Sequence, residues 1–264
     1  MHVFLWEMKA QLKSLLIWSA IFIVIIFMMT SEFSAYYENP EMLDIMSSMP
    51  EALMKAFSMD GANLTTTVGY ISIVALYFYL MGGLYAVLLG SGILSKEERD
   101  KTAEYLLTMP ISRTRLILYK LLAALTCSVL LLLVVLGSTV VAMLPYDLDN
   151  DFFDFLWLMG VAMGLTMLLF LSIGLFLASI LKRYKYSGKI ATSILMVLYF
   201  LSIIAALSDK LEFLKYVTPF KFFESSTLIS TGSLSTSSLV ISLMIILLGI
   251  MGTFLFYPKR DLHL

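Results

Sequence analysis

The chain has 264 residues, of which 60% are hydrophobic and only 14% charged, and its mean hydropathy is +0.91. A soluble domain of this length could not hide so much apolar surface, so the composition excludes one and points to a polytopic membrane protein. The net charge of −1 carries little meaning by itself, because orientation depends on where the charges lie. The one cysteine, Cys127, sits in an apolar run; it excludes an intrachain disulfide and reads as a small buried side chain.

In chain order, Met1–Ser14 mixes Phe4, Leu5, Trp6, Met8 and Leu12 with Glu7, Lys9 and Lys13. It reads either as an amphipathic helix at the membrane surface or as a plain extension of the first span. That span is expected at about 15–30. No Ala-x-Ala site follows it, so it reads as an uncleaved span and not as a signal peptide. Residues 31–65 form an acidic loop whose Met, Leu and Phe residues permit one or two short helices. The second span is expected at about 66–94, and the third at about 116–144 with Lys120 snorkelling near its start. A short acidic loop leads to the fourth span, about 152–181, and a compact basic loop to the fifth, about 190–207. In the loop that follows, Leu211–Phe223 is rich in leucine and aromatics, which suggests a segment dipping into the outer interface. The sixth span is expected at about 239–257.

Six spans place both termini on one side. The N-terminus carries two basic residues, the stretch between spans two and three six, the loop before span five four, and the tail two. These 14 of the 18 lysines and arginines mark that side as cytoplasmic. The fold class expected is thus all-α: six transmembrane helices in a single domain, 1–264, with cytoplasmic termini.

The longest charge-dense run, Ser95–Tyr119, lies between spans two and three. Ser95 and Glu98 have capping-box spacing, which predicts a helix starting afresh there. Glu97 precedes Lys101 by four residues, a favourable order for a helical ion pair. Ala103, Leu106 and Leu107 share a face, Pro110 predicts a break, and Ser112 can cap the next helix. The pattern fits a short helix at about 96–109, charged early and apolar late. It fits a solvated loop whose charges serve orientation equally well.

The central parts of the spans carry no acidic residue and no lysine or arginine, which argues against an ion-coupled transporter or a voltage sensor. The only histidines, His2 and His263, stand at opposite ends of the chain, and no His-Glu-x-x-His or Gly-x-Ser-x-Gly appears. The only Gly-Lys pair, Gly188-Lys189, lacks the rest of a P-loop, so the chain holds no nucleotide in a loop of that kind. No metal site and no catalytic group is expected, and nothing points to nucleic acid. Gly82, Ala86 and Gly90 share one face of the second span; Gly160 with Gly164 and Gly249 with Thr253 repeat the theme. Such faces let helices approach closely, within one subunit or between two. Tyr70, Tyr77, Phe78, Tyr79 and Tyr85 make the second span aromatic, read as a pathway lining or as lipid-facing and interfacial rings.

The segment from Ser95 to Lys120 resembles the cytoplasmic loop of the ABC type-2 exporter permeases. The pattern Thr-x-Glu-x-Leu-Leu-x-x-Pro-Ile-Ser-Arg is carried by Thr102, Glu104, Leu106, Leu107, Pro110, Ile111, Ser112 and Arg113. The glycine usual before the threonine is Lys101 here. The motif covers about 25 residues, whereas the layout of spans and loops fits over the whole chain.

The resemblance implies a permease subunit of an ATP-driven exporter in a bacterial cell membrane. A coupling helix in this loop would sit in a cleft of a separate ATPase subunit. That subunit would bind ATP and magnesium, leaving this chain without a cofactor and non-catalytic. Glu97, Glu98, Arg99, Thr102, Glu104 and Tyr105 would contact the ATPase or brace the helix. Leu106, Leu107 and Pro110 would pack it against the spans. The working complex would hold two permease chains, identical or paralogous, in membrane lipid. The cargo expected is an amphipathic peptide, a bacteriocin or a hydrophobic drug-like molecule, on the ground that the spans are aromatic and methionine-rich. The same methionines read equally well as lipid-facing filler. A sensory or structural membrane subunit that transports nothing is the alternative.

Overall fold

The computed structural model describes residues 2–56, 59, 62–102, 111–181, 183–207, 213, 214 and 216–260. Among these, the regular elements are helices: α1 (His2–Phe33), α2 (Pro40–Ser47), α3 (Glu51–Ala56), α4 (Thr67–Arg99), α5 (Arg113–Met143), α6 (Asn150–Ile180), α7 (Tyr184–Leu207), α8 (Pro219–Phe222), α9 (Ser225–Thr231) and α10 (Thr236–Phe256), followed by a 3-10 turn, Tyr257–Lys259. Six of them, α1, α4, α5, α6, α7 and α10, are long and apolar enough to cross a membrane.

Local chemistry sets the boundaries. No glycine or proline occurs before Pro40, so nothing interrupts α1, and residues 2–14 are one helix with the first span rather than a separate surface helix. Asn39 caps α2, where Pro40 occupies the first turn. Thr66, Ser112 and Asp149 cap α4, α5 and α6, accepting bonds from the backbone N–H of Gly69, Arg115 and Phe152. Helices α1, α4, α5 and α6 run 31 to 33 residues. At ~1.5 Å per residue that is about 47–50 Å, well beyond the ~30 Å hydrocarbon core, so their ends project from the bilayer.

Helix α4 runs through Ser95 without a break, which corrects the fresh start expected there. An N-cap needs extended backbone, and nothing upstream in α4 unwinds it. The Ser95 hydroxyl instead meets that of Ser187 in α7 at 3.2 Å. The expected pair between Glu97 and Lys101 is replaced by one between Glu97 and Lys120. The helix closes at Asp100, with Lys101 at φ +56° and the Thr102 N–H donating to the Glu97 carbonyl at 2.9 Å. This is a Schellman closure, which favours glycine at the left-handed position that Lys101 fills.

Helices α4 and α6 form the core. In their most apolar windows 67% and 61% of residues are buried, against 22%, 17% and 22% for α1, α7 and α10. They cross so closely that a Cβ on Gly90 would stand 2.5 Å from the Leu171 carbonyl oxygen, and one on Gly174 2.5 Å from that of Val87. Gly82 and Gly83 face Met163 and Phe170. Gly160 and Gly164 receive Leu136 and Leu132 of α5, and Gly249 of α10 faces Ser172. The small-residue faces therefore serve packing within the chain. Helix α1 packs along α5, α7 against α4 and α6, and α10 along α6.

One aromatic reading is corrected. Tyr70, Phe78, Tyr79 and Tyr85 are buried. Phe78 and Tyr85 meet Phe22 and Trp18 of α1 edge-on, so these rings join helices rather than face lipid. The segment before α9 divides: Phe213, Tyr216 and Val217 are exposed, whereas Pro219, Phe220 and Phe222 are buried, and Phe220 packs on Phe170 of α6 and Tyr199 of α7.

Candidate functional site

Charge is concentrated at one end of the bundle, where the first turns of α1, the end of α4, the start of α5 and the residues after α10 meet. Glu7, Lys96, Glu97, Glu98, Lys120 and Arg260 are all buried there, with exposures from 0% to 9%. Three acids face three bases. Lys96 of α4 pairs with Glu7 of α1. Lys120 of α5 lies 3.0 Å from Glu7, pairs with Glu97 and donates to the Ile93 carbonyl at 2.7 Å. Arg260 donates to Glu98 at 2.9 Å and to the Ala178 carbonyl of α6 at 2.6 Å. Arg113, in the first turn of α5, donates to the carbonyls of Pro258 and Arg260, both at 2.9 Å. The Lys96 ammonium also stands 4.0 Å from the centre of the Trp6 ring.

A buried ion pair adds little net stability, since desolvation offsets attraction. Its energetic signature is different: removing one partner leaves a buried charge alone. The network therefore fixes which helix ends may neighbour one another. It joins α1, α4, α5, α6 and the segment after α10. It also flanks the connection from α4 to α5 on both sides, through Glu97 and Glu98 before it and Arg113 and Lys120 after it.

The sequence-predicted site residues divide accordingly. Glu97 and Glu98 point into the bundle. Arg99 and Thr102 are exposed, and Arg99 donates to the Asp100 carboxylate at 2.8 Å, a bond that holds Asp100 below the usual carboxylate range. Glu104, Tyr105, Leu106, Leu107 and Pro110, with most of the helix expected at 96–109, lie outside the described residues. Glu7, Lys120, Arg113 and Arg260 were given no site role from the sequence, although Lys120 was expected to snorkel and Arg113 belongs to the pattern shared with the permeases. Lys120 does not snorkel: it is fully buried. The available signal was the presence of acids and bases at the tips of separate apolar segments, where each charge requires a partner.

Two clefts flank the last turns of α4. One, of about 840 Å³, opens toward α7 and the basic loop before it, and the other, of about 570 Å³, toward α1. Leu88, Gly92, Lys96 and Arg99 border both. At the opposite end a third cleft of about 610 Å³ lies among Asn63, Asp149, Asp151, Asp154 and Trp157. Among the described residues no group of His, Cys, Asp or Glu is arranged to hold a metal ion.

No curated protein matches the chain. The family profile described as ABC-2 family transporter protein matches residues 1–262, nearly the entire length. With six membrane-length helices and a match of that extent, the chain is a multi-pass membrane transport component and belongs to the ABC-2 transporter family.

Proposed function

We propose that this chain is the permease subunit of an ATP-driven exporter and that the connection between α4 and α5 receives a separate ATPase subunit. The observation that supports this reading best is the buried network on both sides of that connection. A push on residues 103–110 would enter α4 at Glu97 and Glu98 and α5 at Arg113. Through Glu7, Lys96, Lys120 and Arg260 it would reach α1, α6 and the C-terminal segment, so the helix ends would respond as a unit. In this reading Glu97 and Glu98 brace the connection from inside, while Arg99, Thr102, Glu104 and Tyr105 serve the contact and Leu106, Leu107 and Pro110 seat it. The charged end faces the cytoplasm of a bacterial cell, ATP and magnesium are held by the ATPase, and a second permease chain completes the complex.

The cargo in this reading is an amphipathic or hydrophobic molecule of the peptide or drug-like class. Support comes from the lightly buried faces of α1 and α7, where Leu16, Ile17, Val24, Val197 and Phe200 are exposed. The methionines of α6 give no such support, since Met159, Met163 and Met167 are buried.

The test is co-purification of the chain in nanodiscs with its candidate ATPase, comparing wild type with Glu104→Ala and Leu107→Asp. The expected result is a stable complex with ATP hydrolysis that responds to the permease, weakened by Glu104→Ala and abolished by Leu107→Asp, which introduces a charge at an apolar contact. No binding by the wild type would overturn the reading.

A further inference from the structure

We propose that the cleft between α4 and α7 is a binding site for an anionic amphiphile: a phosphate-type head at the charged end, with its apolar tail running into the bilayer. Four cations border the cleft: Lys96 and Arg99 from α4, whose charges are already met by Glu7 and Asp100, and Lys185 and Lys189 from the start of α7; among the described residues no carboxylate lines it. Between them lie the hydroxyls of Ser95 and Ser187, which meet at 3.2 Å, with Thr192 and Ser193 farther along α7. Hydroxyls and ammonium groups together are the chemistry that binds phosphate oxygens.

The cleft has room because glycine stands on both walls. A Cβ on Gly92 would meet nothing within 4 Å, and one on Gly188 would have only the Ser91 hydroxyl, at 3.5 Å. Away from the charged end the walls turn apolar. Leu88 is 40% exposed, Met196 lines the cleft, and Val197 beyond it is 57% exposed. Polar depth with an open apolar side matches the two halves of a phospholipid and does not match a free ion. Basic pockets between membrane helices hold anionic headgroups in this way, and each cation near the surface strengthens attraction to an anionic leaflet. The site does not depend on the ATPase reading, since it requires only that the chain lie in a bilayer.

The test uses the purified full chain in phosphatidylcholine nanodiscs, titrated with phosphatidylglycerol. Lipid retention is read by native mass spectrometry and thermal stability by unfolding. Phosphatidylglycerol should be retained selectively and should raise the unfolding temperature. Lys185→Gln with Lys189→Gln should weaken retention by about tenfold to thirtyfold. Gly92→Leu, which fills the cleft without changing charge, should weaken it too. Lys9→Gln with Arg115→Gln removes as much charge from exposed positions outside the cleft and should leave retention unchanged. Equal retention of phosphatidylcholine, equal stabilisation by inorganic phosphate alone, or an equal loss in the Lys9 and Arg115 variant would each overturn the proposal.

Discussion

The two ends of the bundle are closed by different means. At the charged end, six buried ionisable side chains hold helix tips together through directional pairs. At the other end, rings take over: Phe33 packs on Tyr37, Tyr70 and Tyr146, and the Tyr70 hydroxyl donates to the Met29 carbonyl at 2.6 Å. The acidic residues there are largely exposed, as at Glu32, Glu41, Asp44, Asp147 and Asp151. The difference is energetic. A ring pair contributes about 0.5–1.5 kcal/mol beyond its buried area, whereas removing one partner of a buried charge pair costs about 3–5 kcal/mol.

This contrast can be broken deliberately. The largest effect is expected from Lys120→Met, which leaves Glu7 and Glu97 short of a cation in a buried site; the loss should be about 3–5 kcal/mol, read by denaturant unfolding in detergent. Next comes Gly90→Val, which drives a branched side chain into the Leu171 backbone where α4 crosses α6. It should cost about 1–3 kcal/mol and loosen both ends alike, serving as a control for damage that is not specific to one end. Phe33→Leu at the aromatic end keeps most of the volume but removes the ring contacts, and should cost about 1 kcal/mol. A result as severe as that of Lys120→Met would erase the distinction. Lys101→Gly runs the other way. Relief of the left-handed backbone, less the entropy of glycine, should stabilise the chain by about 0.5–1 kcal/mol, visible as a small rise in unfolding temperature.

The apolar runs made the six spans legible, and the small residues at helical spacing marked the close crossings. Ser112 announced the start of α5 because its cap is local chemistry. What could not be read was partnership. Ser95 and Glu98 have the spacing of a capping box, yet their side chains are used by Ser187 and Arg260, which lie 92 and 162 residues away. Glu7 and Lys120 looked like an interfacial acid and a snorkelling base because each was judged within its own segment. Burial turned them into a pair. The left-handed residue after α4 explains why a glycine is usual at that point in the resembling permeases, and why lysine there is a strained substitute.

The most direct test of the account is a charge exchange between Glu98 and Arg260, the pair that ties the tail to the end of α4. Glu98→Arg and Arg260→Glu should each lose about 3–5 kcal/mol of unfolding free energy, since each buries two like charges, and the double variant should recover most of that loss. Single variants that unfold like wild type, or a double variant no better than either single, would contradict the claim that paired charges hold this end together.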